Sequence, residues 1–160
     1  MNNTSVVNCN DHMYLEISAR MENEGFARVV VGAFAARLDP TLEELNELRA
    51  AVSEAVMNCI LHAYEGAEGK ISIAVRIEDK ILTMEIADQG KGIEDPALVR
   101  APLYTDKPEL ERAGMGFTIM ENFMDKLSVE SKKGQGTRII MSKTFGKTSD
   151  HNFEGDFLGK

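Results

Sequence analysis

The chain has 160 residues, the length of one ordinary domain, and can bury a hydrophobic core without disulfides or structural metals. Its 26 acidic and 18 basic residues give a net charge of −8, which argues against general nucleic-acid binding because that affinity depends on neutralising phosphates. The chain has two cysteines, no basic leader and no apolar run long enough to span a membrane. Together these features predict a cytoplasmic protein with reduced cysteines that does not enter a membrane.

The first third of the chain predicts one strand followed by two helices. Residues 13–20 alternate apolar and polar side chains, the period of a half-buried strand. Residues 22–38 space their apolar side chains as a helix does, and an Asp-Pro pair ends that segment. Thr41 and Glu44 then form a capping-box pattern, so a second helix is expected to run from about residue 42 to 64.

The remaining chain predicts a hairpin, an irregular loop, a third helix and a final hairpin. Residues 71–88 alternate in two runs joined near a turn, and residues 115–127 have helical spacing. This order indicates an α/β two-layer sandwich, with helices on one face of a mixed, mainly antiparallel sheet. We expect a single domain over residues 1–145 and a flexible tail over 146–160. The outer sheet face is expected to be covered in part by a partner, such as a second copy.

The second helix carries a polar row on an otherwise apolar segment. Glu54, Asn58 and His62 fall within an arc of roughly 80° when each residue turns the helix by 100°. The row is either the solvated face of an amphipathic helix or the floor of a pocket. Met57 and Leu61 lie beside this polar row and favour the pocket interpretation, because the solvent-exposed face of the helix carries charged side chains one or two turns earlier. Cys59, within the same segment, is expected to be an inert thiol.

Three glycine motifs follow, and each is a weak signal alone. The motif D-x-G-x-G at residues 88–92 lies where a strand ends, and glycine there permits either a plain turn or close approach to a ligand. The motif G-M-G at residues 114–116 opens a helix, whose N-terminal N–H groups favour phosphate. The motif G-Q-G-T at residues 134–137 alone predicts only a hairpin turn.

Taken in order, these motifs are far more specific. From Tyr14 to about Lys143 the chain resembles the Bergerat-type nucleotide-binding superfamily of gyrase, Hsp90, histidine kinases and MutL, and it lacks a P-loop pattern. Residues 25–64 and 102–131 further resemble the anti-sigma F factors of spore-forming bacteria. Those proteins are serine kinases that also hold a sigma factor.

The resemblance implies ATP and Mg²⁺ as cofactors and assigns roles by position. Asn58 matches the asparagine that coordinates magnesium, and Glu54 matches the glutamate that acts as general base or orients the attacking serine hydroxyl. Asp88 matches the aspartate that accepts from the adenine amino group. The other matched nucleotide-binding positions are Gly90, Gly92, Gly114, Gly116 and Thr137. His62 matches no catalytic residue and is expected to be structural.

Residues 95–113 match the nucleotide lid of this family. Within it, Arg112 matches an arginine that reaches the γ-phosphate, although pairing with Glu109 or Glu111 at the surface is an equal alternative. Glu24 and Arg28 on the first helix match the region that contacts both protein partners, although an exposed arginine is often only a surface residue.

The implied partners are a sigma factor, sigma F, which is bound and silenced, and an anti-anti-sigma factor, which is phosphorylated on serine. The implied assembly is a homodimer. Two other functions stay open at this stage. One is a stress-response anti-sigma kinase that acts on another sigma factor. The other is a binding module in which ATP only fixes the lid and no phosphate is transferred.

Overall fold

A computed structural model describes residues 10–95 and 115–146 of the chain. These residues form five strands, three α-helices and two short helical segments. The strands are β1 (Asp11–Ser18), β2 (Lys70–Glu78), β3 (Ile81–Asp88), β4 (Lys126–Ser131) and β5 (Thr137–Thr144). The α-helices are α1 (Glu22–Ala35), α2 (Leu42–Asn58) and α3 (Gly116–Phe123). A 3₁₀ turn (Ala36–Leu38) follows α1, and a π-helical turn (Cys59–Ala63) follows α2.

The strands form one sheet in the order β1-β2-β3-β5-β4. Every described strand pair is antiparallel, so the predicted sandwich is confirmed while the mixed component of the sheet is absent from the described part. The register pairs Asp88, the last residue of β3, with Thr137, the first residue of β5. The β3–β5 pairing therefore brings together two of the motifs, whose residues Asp88 and Thr137 are 49 positions apart in the sequence.

The core lies between one face of the sheet and the helices. Along β2, alternate side chains are buried, as a strand covered on one face requires, and these are Ile71, Ile73, Val75 and Ile77. The helices supply fully buried side chains such as Val31 on α1 and Leu48 on α2. Opposite them, the outer face carries mostly polar and small side chains, including the exposed Tyr14.

Helix α2 is the element on which both other helices pack. Its N-terminus has the predicted capping box: Glu44 N–H donates to Thr41 Oγ1 at 3.1 Å, and Thr41 N–H donates to Glu44 Oε2 at 2.9 Å. At the other end of α2, the prediction of one continuous α-helix to about residue 64 is wrong in detail. The hydrogen bonding changes from α to π at Cys59, and helical turns of that kind often lie at functional sites.

Lys143 joins the sheet to the helical layer. Its ammonium donates to Glu47 Oε2 on α2 at 2.7 Å and to the Phe123 carbonyl at the end of α3 at 2.8 Å. Lys143 is only 7% exposed, so these two acceptors replace the water that the buried charge loses. One side chain of β5 therefore fixes the positions of both α2 and α3.

Several predictions concern residues outside the described ranges. They are Gly114, Arg112, the lid at positions 96–113 and the tail beyond position 146. Among the helices of the described ranges, none combines the length and apolar character needed to cross a membrane.

We predict that Thr41→Ala lowers the free energy of unfolding by about 1 kcal/mol, because it removes the side-chain acceptor for an otherwise unpaired helical N–H. Urea denaturation of the purified protein measures this. Thr41→Ser is the matched control, since it keeps the hydroxyl and is expected to retain most of the stability. Equal losses in both variants would contradict a capping role.

Candidate functional site

Glu54 and Asn58 lie one turn apart near the C-terminal end of α2, where α3 begins against them. A Cβ added to Gly116 would lie 3.0 Å from Glu54 Oε2 and 3.9 Å from Asn58 Nδ2. Three sequence-predicted site residues therefore meet at one point. Glu54, Met57 and Asn58 are all half-buried, and of the polar row Glu54 and Asn58 lie at this junction.

Asn58 carries a buried amide nitrogen that has no hydrogen-bond partner among the residues that the structure describes. A buried polar atom without a partner is rare in folded proteins and is expensive to leave unpaired. Rotation about the last torsion of Asn58 exchanges the amide nitrogen and oxygen, so the same side chain can offer either a donor or an acceptor. The site therefore has unused bonding capacity at the position where the sequence predicts a ligand.

The first turn of α3 faces the same junction. Met115 precedes the helix and provides no side-chain cap for its backbone N–H groups. Uncapped N–H groups and the positive end of the helix dipole make such a terminus favourable for an anion. Glycine at position 116 keeps this terminus free of a side chain that would press on Glu54.

Asp88 forms the second part of the site and is 8% exposed. Its Oδ1 accepts from the Gly90 N–H at 2.9 Å and from the Thr137 N–H at 3.2 Å. Burial raises the pKa of the Asp88 carboxyl, while the hydrogen bonds from Gly90, the Cys59 thiol and Thr137 lower it in part. A carboxylate has about four acceptor positions, so three donors leave capacity for one more.

The loop after β3 is held against the π-helical turn. The Lys91 N–H donates to the Ala63 carbonyl at 3.0 Å, and a Cβ at Gly90 would collide with that carbonyl. Gly92 has a φ of 72° and lies so close to the Lys132 backbone that a side chain would not fit. The D-x-G-x-G motif is thus a site-forming loop that glycine allows to pack tightly on both sides.

Thr137 opens β5 and lies next to Asp88 in the sheet. Its hydroxyl is 2.7 Å from the hydroxyl of Ser131, which also accepts from the Ile93 N–H at 2.7 Å. Ser131 therefore connects the G-Q-G-T turn to the loop that carries Gly90 and Gly92.

The sequence analysis did not identify three residues of this region as site residues: Cys59, Tyr64 and Ser131. The Tyr64 hydroxyl donates to the Lys70 carbonyl at 2.6 Å and accepts from the Gln89 N–H at 2.8 Å, directly after Asp88. Each of the three acts through a partner distant in sequence. No local motif marks them, and only the strand pairing predicted for the two hairpins would have pointed toward Ser131.

The predicted partner-contact residues lie on α1 and reach α2. Glu24 accepts a short hydrogen bond from the Ser53 hydroxyl, and its carboxylate is 3.9 Å from Arg28 Nε. Ser53 directly precedes Glu54 in the chain. The α1 surface is therefore linked through one hydrogen bond to the helix that carries the site.

The two parts of the site share the end of α2. Asn58 is the last α-helical residue, and Cys59, the next one, lies near enough to Asp88 that the carboxylate charge, together with burial, raises the pKa of the thiol. The structure thus brings together Glu54, Asn58 and Gly116 at one end and Asp88, Gly90, Gly92 and Thr137 at the other. Gly114 and Arg112 lie outside the described residues.

Comparison with known proteins assigns a class to this arrangement. Residues 17–143 match the family described as the histidine kinase-like ATPase domain. A structural relative, the crystal structure of the RsbU and RsbW domains of Rv1364c from Mycobacterium tuberculosis, superposes with a TM-score of 0.63 at 14% identity. That match covers 86% of this chain and 33% of the other, and at this identity it shows the fold alone.

Comparison with individual curated proteins identifies a narrower family within this class. The chain is 54% identical over 138 residues to the anti-sigma F factor of Clostridium acetobutylicum, which covers 86% of this chain and 96% of the relative. It is 53% identical over 139 residues to that of Bacillus subtilis, covering 86% and 95%. A Clostridium botulinum anti-sigma F factor is 57% identical over 134 residues, covering 83% and 94%. The chain therefore belongs to the anti-sigma F factor family of the histidine kinase-like ATPases.

We predict that Asp88→Asn raises the free energy of unfolding at pH 7. A carboxyl with a raised folded-state pKa contributes stability that is present below the ordinary aspartate pKa and is lost as the pH rises through the folded value. The advantage of the variant should shrink as the pH falls through the raised pKa, because wild-type Asp88 then becomes protonated as well. Urea denaturation between pH 4 and 8 measures it.

Asp79→Asn is the matched control for this series, because it removes one exposed charge from the β2–β3 turn and corrects for the change in net charge. If the difference in free energy of unfolding between Asp88→Asn and wild type does not depend on pH, that result would contradict the raised pKa of Asp88.

Proposed function

We propose that this protein is an ATP-dependent serine kinase and anti-sigma factor. It binds and inhibits sigma F, and it phosphorylates a serine on an anti-anti-sigma factor, working as a homodimer. The convergence of Glu54, Asn58 and Gly116 at the start of α3 carries this proposal. The curated relatives named above are all anti-sigma F factors. Their names support sigma F as the partner, rather than the sigma factor of a stress-response anti-sigma kinase.

The Asp88 end of the site fits a nucleobase. The carboxylate retains one acceptor position, and an adenine amino group is a donor whereas the guanine oxygen at the same ring position is an acceptor. Gly90 and Gly92 leave the adjoining loop without side chains, and Thr137 borders Asp88. We assign adenine recognition to Asp88 and the surrounding wall to these three residues.

The Asn58 end fits a metal-bound triphosphate. Its buried amide has unused bonding capacity, and a carbonyl oxygen is a ligand that magnesium accepts. Uncapped N–H groups at the start of α3 would receive phosphate oxygens. Magnesium at this position would neutralise charge on the phosphates during transfer. The described residues contain no cluster of three or more His, Cys, Asp or Glu, so substrate oxygens and water would complete the coordination.

Glu54 is assigned to the acceptor serine. Its carboxylate lies beside the N-terminus of α3 and one turn before Asn58, so a hydroxyl presented there lies near both the acid and the phosphate position. Glu54 would accept the hydroxyl proton or hold the hydroxyl in line as the oxygen bonds to phosphorus and ADP leaves. Arg112, if its lid position is as in the family, would supply further positive charge.

The α1 surface fits a protein partner. Phe26 is 52% exposed and Val29 58% exposed, and the half-exposed Arg28 lies between them in the chain. Exposed apolar side chains around an arginine are typical of protein interfaces. We assign Glu24 and Arg28 to partner contact, where the Glu24–Ser53 hydrogen bond would connect the bound partner to the catalytic helix.

We predict that Glu54→Gln lowers the rate of serine phosphorylation by roughly 100-fold or more, because general-base catalysis contributes about that factor. ATP affinity should change little, since the amide keeps the shape of the side chain. Transfer of radiolabelled phosphate from ATP to the anti-anti-sigma factor of Bacillus subtilis measures the rate. Calorimetry measures the affinity.

Glu43→Gln is the matched control, since it makes the same change on the exposed first turn of α2 and should leave the rate unaltered. An unchanged rate in Glu54→Gln removes Glu54 from the chemistry. No phosphorylation by the wild-type protein, with ATP still bound, would favour the non-catalytic binding module.

We also predict that Asn58→Ala weakens ATP binding by about 10- to 100-fold in magnesium, the range expected when a strong polar contact to a charged group is lost. The difference from wild type should largely vanish in EDTA. Because the Asn58 amide nitrogen has no partner among residues 10–95 and 115–146, the thermal midpoint of the variant should not fall through loss of a hydrogen bond within that part of the chain. Calorimetry with and without magnesium checks the assignment, and equal losses in both conditions would refute it.

A further inference from the structure

The Tyr64 hydroxyl is inserted at the end of the β2–β3 ladder. It donates to the Lys70 carbonyl at 2.6 Å and accepts from the Gln89 N–H at 2.8 Å. Ile71 pairs with Asp88 in the sheet, so Lys70 and Gln89 stand where the next pair of an antiparallel ladder would form. A side-chain hydroxyl thus joins one backbone group of each strand at the point where β3 leaves the sheet.

The ring that carries this hydroxyl is held firmly. A Cβ at Gly69 would overlap the Tyr64 ring, so the ring packs directly on the Gly69 backbone. Gly69 is itself fixed, because its carbonyl accepts from the Ala19 N–H at 2.9 Å. The ring is half-buried and packs against the hydrophobic core. Since a ring locked in this way cannot follow a moving loop, its hydroxyl is a fixed anchor for Gln89.

The anchor lies next to the groups that orient the buried carboxylate. The Gln89 N–H bonds to Tyr64, and the N–H of the following residue, Gly90, donates to Asp88 Oδ1 at 2.9 Å. The two N–H groups belong to successive peptide units, so the direction from which Gly90 meets the carboxylate depends on how Gln89 is held. One residue further on, the loop donates to the Ala63 carbonyl, which precedes Tyr64.

We propose that Tyr64 is a positioning residue for nucleobase recognition: its hydroxyl ends the β2–β3 ladder at Asp88 and sets the direction in which the carboxylate meets the amino group of the base. This inference rests on the assignment of Asp88 to adenine in the proposed function. It makes a tyrosine that directly follows the π-helical turn, outside the D-x-G-x-G motif, a determinant of how strongly the protein prefers an amino-purine.

Tyr64→Phe isolates this role. The variant keeps the ring and its packing on Gly69, and it removes only the hydroxyl. The Gln89 N–H then either loses its partner or bonds directly to the Lys70 carbonyl, and in both cases the loop leaves the sheet along a different path. Tyr14→Phe is the matched control, because it removes the same atom from a side chain that is 66% exposed on the outer face of the sheet.

Calorimetry with two nucleotides tests the proposal. Wild type and both variants are titrated with ATP and with purine riboside triphosphate, which lacks the amino group. We expect Tyr64→Phe to bind ATP roughly three- to tenfold more weakly, the scale of one hydrogen bond, and to bind the analogue as wild type does. The preference for ATP over the analogue should therefore fall in Tyr64→Phe and stay unchanged in Tyr14→Phe.

A purely structural role of the hydroxyl predicts another result, because a general loss of stability weakens both nucleotides alike. Equal losses for ATP and the analogue in Tyr64→Phe would overturn the proposal. Amide hydrogen exchange, followed by NMR in the nucleotide-free protein, gives a second measurement. Exchange of the Gln89 N–H should be faster in Tyr64→Phe than in wild type and Tyr14→Phe, and equal rates in all three proteins would also overturn the proposal.

These experiments separate the role of Tyr64 from the proposed function. If wild type binds neither nucleotide, or binds both equally well, the assignment of Asp88 to adenine fails and the role of Tyr64 fails with it. If wild type prefers ATP and Tyr64→Phe keeps that preference, only the role of Tyr64 fails.

Discussion

The site depends on one constraint, which is that a carboxyl group lies inside the protein, where its charge is solvated less well than in water. Asp88 is 8% exposed, and burial raises its pKa. A charge in such a place costs free energy unless donors surround it. The donors from Gly90 and Thr137 require the loop after β3 and the start of β5 to meet at Asp88, and the end of α2 lies beside them at Cys59. Much of the local architecture follows from that meeting.

Helix α2 connects the Asp88 end of the site to the end that contains Glu54 and Asn58. Its capping box sets where the helix begins, and the Glu47–Lys143 pair ties its middle to β5 and α3. Glu54 and Asn58 follow on the same rigid element, so their distance from Asp88 is set by helix geometry rather than by a loop. Since Lys143 also holds the end of α3, the uncapped N-terminus of α3 near Gly116 is positioned by the same framework.

The sequence predicts local features well, because each is decided by near neighbours. The Thr41–Glu44 capping box, the turn at positions 79–80 and the strand alternation needed only residues close in the chain. The π-helical turn did not follow from the sequence, because the Lys91 N–H that bonds the Ala63 carbonyl lies 28 positions away. Cys59 was expected to be inert for the same reason: nothing near it in the sequence shows that Asp88 packs against it. The resemblance assigned Asp88 its role but not the contacts that hold it.

The departures from ordinary folding rules are concentrated where the site lies. Within the described part of the chain, four features each lower stability or leave bonding capacity unused: the π-helical turn, the buried Asp88, the Asn58 amide nitrogen without a partner and the uncapped start of α3. The buried Arg49 Nε beside Gly32, which also lacks a partner among these residues, is an exception outside the site. Natural proteins keep such conflicts where function requires them. Four independent conflicts around one junction are therefore a physical argument for a ligand there, because a bound base, phosphate and cation are the groups that would resolve them.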